Sequence, residues 1–253
     1  MAKELDGKFI ERATEILSFN IKGEDMSSLK YKREIQFLYS TIVFKGFNPG
    51  STIPSLNITK INSAIEKLKT INRAGFDALY DFQPKGIGPG ETLIYFLVSN
   101  AHLGGGTSAG VDAKIGGTNY EIKGAKLSGD QKYMTGFKLG GTVRVSEEVN
   151  EALSIKEALG LETKGKGQQE INASQIELIK QEEPKTWKQI EDSFKEKAYR
   201  YLSTNEVIFF NNNRSNGKLT KTAGGIIVSK KVKKTEISIE TLTQGQFKPR
   251  VKV

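Results

Sequence analysis

Two adjacent glycines, Gly116 and Gly117, join a Val-Asp-Ala-Lys-Ile run to a Thr-Asn-Tyr-Glu-Ile-Lys run. A two-residue glycine loop between alternating segments commits the chain to a β-hairpin, because the favoured short turns need positive φ. Loop length then sets the register. If Ile115 pairs with Thr118, Lys114 faces Asn119, Ala113 faces Tyr120, and Asp112 stands opposite Glu121. Residues two apart share a face, so Glu121 and Lys123 lie beside Asp112, while Val111, Ala113, Tyr120 and Ile122 form an apolar side.

Two carboxylates opposed across a ladder have Cβ atoms roughly 4.5–5.5 Å apart and repel each other unless a cation lies between them. Magnesium fits that need, since it prefers oxygen ligands and usually takes only one or two carboxylates from the protein. Asp112 and Glu121 are therefore the expected metal ligands. The bland alternative is a solvated face held by cross-strand ion pairs. The register weighs against it, because it sets acid opposite acid and Gly110 opposite Lys123.

Glu-x-Lys occurs three times, at Glu121, Glu162 and Glu183. The second copy falls in a glycine-lysine stretch and the third contains Pro184, so neither has an Asp on a paired strand. Asp112, the hairpin and Glu121-Ile122-Lys123 together resemble the PD-(D/E)XK nuclease superfamily, the restriction-endonuclease-like fold. The likeness is close over the hairpin, looser over residues 86–242, and finds no counterpart in residues 1–80. Val111 replaces the proline of the family's name.

The resemblance implies a Mg²⁺-dependent nuclease, in particular a DNA endonuclease, with Mn²⁺ able to substitute. Asp112, Glu121 and the Ile122 carbonyl would hold the metal, and Lys123 would orient or help deprotonate water. Glu91, on the helix before the hairpin, matches an acidic position that often joins such sites; the helix macrodipole alone also favours an acid there. The competing expectation is a non-catalytic DNA-binding or assembly protein, such as a viral-particle or DNA-processing component, using the same scaffold.

The net charge of +9 is concentrated, since residues 214–253 hold ten Lys or Arg against two Glu. Such clustering suits a nucleic-acid backbone, expected here as double-stranded DNA, although acidic protein is a possible partner for a basic tail. A homodimer is a further expectation, because two-strand cleavage often needs paired sites. Cysteine is absent, excluding disulfides, zinc-thiolate sites and a cysteine nucleophile. His102, the sole histidine, argues against His-metal chemistry and is expected in a loop. The N-terminus lacks the apolar core of a signal peptide and no apolar run reaches membrane-spanning length, so a soluble cytoplasmic protein without membrane contact is expected.

The expected fold class is α/β, a central mixed sheet flanked by helices, with residues 1–80 a helical N-terminal region and 81–253 a nuclease-like core. Helical spacing recurs at Phe9, Ala13, Ile16 and Leu17, at Ile35, Leu38, Tyr39 and Ile42, and from Thr59 to Ile71, with Gly75 as a stop. Residues 47–54 read as loop, 86–90 as turn, and 91–101 as a buried helix broken by Gly104-Gly105-Gly106. Residues 124–185 read as loops or a polar insertion, with a strand at 141–145 and a helix at 147–159. An amphipathic helix over 186–202 carries Trp187, Ile190, Phe194, Ala198 and Leu202. Strands follow at 206–210, 225–228 and 236–242.

Overall fold

The computed structural model describes residues 53–82, 87–88, 90–106, 111–140, 143–161 and 165–253, with Glu15 and Arg33 as isolated positions. Apart from Glu15, the two helices expected around residues 9–17 and 35–42 lie outside the described residues, as does Gly110. The fold is mixed α/β, with largely antiparallel strands flanked by helices. The chain divides into two compact units, one of residues 1–124 and 205–230, the other of 125–204 and 231–253.

In the first unit, α1 (Ile58–Ile71), α2 (Arg73–Tyr80) and α3 (Glu91–Leu97) cover a sheet of β1 (Ala101–Gly106), β2 (Val111–Ile115), β3 (Thr118–Leu127), β5 (Glu206–Asn211) and β8 (Ile226–Lys230), while β6 (Arg214–Ser215) and β7 (Lys218–Leu219) form a separate short ladder. Asn57 caps α1 by accepting the Lys60 N–H, and the apolar spacing buries Ile61, Ile65 and Leu68. Asn72, not Gly75, ends α1, and it caps α2 by accepting the Gly75 N–H. Ile71 is consequently exposed. Asn62 seals the free edge of β8: its amide donates to the Ile226 carbonyl at 2.9 Å and accepts the Ile226 N–H at 2.7 Å. Residues 58–80, expected in a separate helical region, share one apolar core with Ala113, Ile115, Tyr120 and Phe210.

Helix α3 is shorter than the apolar run around it, ending at Leu97, and all seven of its residues are buried. The triple glycine then forms strand rather than a break. β1 pairs with β2 through Ala101–Ile115, His102–Lys114 and Leu103–Ala113, with a bulge before Gly106–Val111. His102 is thus an exposed strand residue, not a loop residue.

The second unit contains the end of β3, then β4 (Tyr133–Thr135), β10 (Gln246–Lys252) and β9 (Ile237–Thr243), all antiparallel neighbours in that order. Helices α4 (Ser146–Ala158), α5 (Ala173–Glu182) and α6 (Pro184–Leu202) complete it. Within residues 124–185 the helix expected at 147–159 is present as α4, and α5 is a second helix where loop was expected; together they bury Val149, Ala152, Ile155, Ile176 and Ile179. Residues 143–145 are not strand. Pro184 opens α6 at a position where its missing N–H costs nothing, and the expected apolar set from Trp187 to Leu202 is buried. Phe247 on β10 meets Phe194 and Trp187 with ring centroids 5.5 and 6.5 Å apart.

Buried polar groups tie the helices of this unit together. Glu148 on α4 accepts from Ser193 Oγ at 2.5 Å and pairs with the Lys197 ammonium, both on α6. Lys156, also on α4, is 2 % exposed and donates to the carbonyls of Gly167 at 2.8 Å, Gln168 at 3.4 Å and Glu170 at 2.8 Å.

Candidate active site

The hairpin forms in the expected register. Ile115 pairs with Thr118, Lys114 with Asn119 and Ala113 with Tyr120. Gly116 and Gly117 both adopt positive φ, at 56° and 87°, as a two-residue turn between right-twisted strands requires. Ala113, Ile115, Tyr120 and Ile122 are buried on the apolar side.

Beyond Ala113–Tyr120 a side chain replaces the ladder. The Ile122 N–H donates to Asp112 Oδ2 at 2.8 Å. The Val111 carbonyl, which continued pairing would offer to Ile122, lies against Gly104 instead; a Cβ there would sit 1.7 Å from the Val111 oxygen. Only glycine permits that approach of β1 to β2. Asp112 is thereby fixed at the edge of the hairpin, where the Glu121 charge acts on its carboxyl group.

Glu121 is 4 % exposed and forms an ion pair with Lys123, its neighbour on the same face of β3. Glu91, 9 % exposed, opens α3 and accepts the Gly88 N–H at 2.8 Å through Oε1. The structure therefore brings Glu91, Asp112, Glu121 and Lys123 into one electrostatic cluster within the first unit. Burial, and then the Asp112 charge, push the Glu91 carboxyl up to about 8; the Gly88 N–H and Lys123 oppose that rise. Burial, and then the Glu121 charge, raise Asp112 to about 6.

Two buried carboxyls, Glu91 and Glu121, and the half-buried Asp112 facing one ammonium leave negative charge uncompensated when all ionise, which is the electrostatic condition a divalent cation relieves. Among the described residues no trio of acidic or histidine side chains is spaced as a ready metal cage. Magnesium does not need one, since waters complete its shell around one or two carboxylates. The Asp112–Glu121 pair fits that donor set.

The hairpin reading found the acids and the lysine, but not the backbone groups that hold them. Gly88, Gly104 and the Ile122 N–H carry no motif of their own; the Gly104–Gly106 run reads only as a break after the buried helix. Of the other Glu-x-Lys copies, Glu162 and Lys164 lie outside the described residues, and Glu183-Pro184-Lys185 starts α6. The basic stretch is divided, with 214–230 in the first unit and 231–253 in the second. No helix among the described residues is long and apolar enough to cross a membrane. No family model, curated protein or solved structure matches the chain.

Proposed function

We propose that the protein is a metal-dependent nuclease that hydrolyses phosphodiester bonds of DNA at Asp112, Glu121 and Lys123. The observation that carries this reading is a half-buried carboxyl, Asp112, held by the Ile122 N–H and raised by the charge of the buried Glu121 that pairs with Lys123, an arrangement that costs stability in the absence of a cation. A fold needs no such pairing for its own sake.

Asp112 and Glu121 would hold Mg²⁺. A bound divalent ion supplies charge neutralisation at a non-bridging phosphate oxygen and acidifies water. Lys123, oriented by its ion pair with Glu121, directs the attacking water and opposes the charge that grows on the phosphoryl oxygens. Water forms the new P–O bond, the ester P–O bond breaks, and the departing oxygen leaves with a proton. Glu91 keeps its own proton into the neutral range and provides a third carboxyl able to orient water or hold a second ion.

The test is incubation of the purified protein with supercoiled plasmid and with linear single- and double-stranded DNA, in Mg²⁺, Mn²⁺ or EDTA. Cleavage is expected with either metal and not with EDTA, and it is expected to vanish in Asp112→Asn and Lys123→Ala. Equal cleavage by wild type and variants would sink the assignment. Salt-sensitive DNA binding without cleavage in any metal would replace it with a non-catalytic DNA-binding role.

A further inference from the structure

The sheet of the second unit has two unlike faces. Towards the helices it buries Phe247, Val251, Ile237, Ile239 and Leu242. Strand parity places a different set opposite. Lys248, Arg250 and Lys252 alternate along β10; Lys252 pairs with Tyr133 on β4, and Lys126 on β3 pairs with Thr135, two residues from Tyr133. Cations from two strands therefore surround one tyrosine on a single sheet face.

One acid shares this face with Arg250 and Lys126. Glu240, the extra residue of the β9 bulge, feels Arg250 and Lys126 but forms no ion pair with them among the described residues. Burial raises its pKa, and the Gly136 backbone, Arg250 and Lys126 oppose that rise. Lys138 lies close to Lys248, whose pKa is lowered first by burial and then by that like charge. Both lysines also line a cavity of about 180 Å³ whose wall includes Phe194 and Phe247 from the helix-facing side.

Arg250 is the best-organised cation. Its Nε donates to Ser238 Oγ at 2.8 Å, and its guanidinium lies 4.7 Å from the Tyr133 ring centroid. These contacts engage Nε and the guanidinium plane, leaving Nη1 and Nη2 without a partner among the described residues. A guanidinium fixed in this way presents a two-donor fork to a phosphate at little entropic cost.

We infer that this face of β3, β4, β9 and β10 binds a nucleic-acid strand, with Arg250 gripping one phosphate and Lys126, Lys248 and Lys138 contacting its neighbours. The fork and the stacked Tyr133–Arg250 pair favour nucleic acid over an acidic peptide, because they suit planar bases and tetrahedral phosphates. Binding here does not require hydrolysis at Asp112, so the two proposals can fail separately.

The test measures binding of the full chain, in EDTA, to labelled single-stranded DNA, duplex DNA and RNA by fluorescence anisotropy at salt from about 50 to 200 mM. Arg250→Ala is expected to weaken binding about tenfold. Lys126→Ala/Lys248→Ala/Arg250→Ala is expected to flatten the logarithmic salt slope by about 2–3. Arg250→Lys, which keeps the charge but loses the fork, should fall between wild type and Arg250→Ala, and it carries the test if the alanine variant does not fold. The control removes equal charge from the helices, as Lys180→Ala/Lys185→Ala/Lys188→Ala, and should bind as wild type does. Unchanged binding in the sheet variants, an equal loss in the control, or binding only to acidic peptides or anionic vesicles would each overturn the inference. Face-dependent binding without any cleavage would uphold it while removing the hydrolytic proposal.

Discussion

Asp112 reaches across the hairpin with its side chain, accepting the Ile122 backbone N–H at 2.8 Å where the β2–β3 ladder has stopped at Ala113–Tyr120. One carboxylate thus completes a sheet hydrogen bond and stands beside a second carboxylate. Structural and chemical duties of this residue can be separated by the choice of replacement.

Asp112→Asn retains an oxygen for the Ile122 N–H, whereas Asp112→Ala orphans that buried donor. The alanine variant should lose about 1–3 kcal/mol of stability, and the asparagine variant should match or exceed wild type because it removes a half-buried charge that faces Glu121. Both should abolish cleavage. Urea denaturation at neutral pH in EDTA reads the difference, and equal destabilisation would contradict the role given to the Asp112–Ile122 bond.

Stability should fall as pH rises in metal-free protein. An unfolded glutamate releases its proton near 4.5, while Glu91 in the fold holds it up to about 8, so across that window the folded state binds the extra proton. Asp112 adds the same sign between 3.8 and about 6. Glu91→Gln should therefore be close to wild type near the acid end and more stable at pH 8 by about 2 kcal/mol or more, roughly 4–8 °C in Tm. Melting curves in EDTA at both ends test this, and a pH-independent difference would refute it.

Magnesium should counter that loss. An ion competing with protons for Asp112 and Glu121 binds more tightly as pH rises, and at a hundredfold excess over Kd it adds about 2.7 kcal/mol. The Tm gain on adding Mg²⁺ should be larger at pH 8 than at pH 5, and absent in Asp112→Asn/Glu121→Gln. Calorimetric titration should also register proton release on binding.

Gly104→Ala should cost about 3 kcal/mol, since the new methyl would overlap the Val111 carbonyl and force β1 from β2. Cleavage should decline more than stability alone explains, because Asp112 follows Val111 directly. Activity at a temperature well below the variant's Tm separates the two effects.

The site was more legible than the fold around it. Hairpin register follows from two glycines and a two-residue side-chain period, so Asp112, Glu121 and Lys123 could be placed together without any tertiary information. The amphipathic spacing from Trp187 to Leu202 was equally local. β10 was missed because Pro249 and three cations interrupt any apolar alternation; its burial depends on Phe247 meeting α6. Gly104–Gly106 read as a break because strand glycines pair for a reason visible only once β2 is beside them. α5 is weakly patterned, and its start is fixed by a reciprocal Asn172–Gln175 capping box more than by apolar spacing. The boundary at residue 80 had no local basis, since α1 and α2 complete their core with strands more than a hundred residues away.

The Lys156 ammonium held by the carbonyls of residues 167, 168 and 170 gives this turn a cation of its own, tethered to the chain. Chelators cannot strip it, dilution cannot release it, and no competing ion can exchange for it. What could undo it is covalent: acylation of that amine would remove the charge and leave three carbonyls short of their common donor, turning an anchor into a fault.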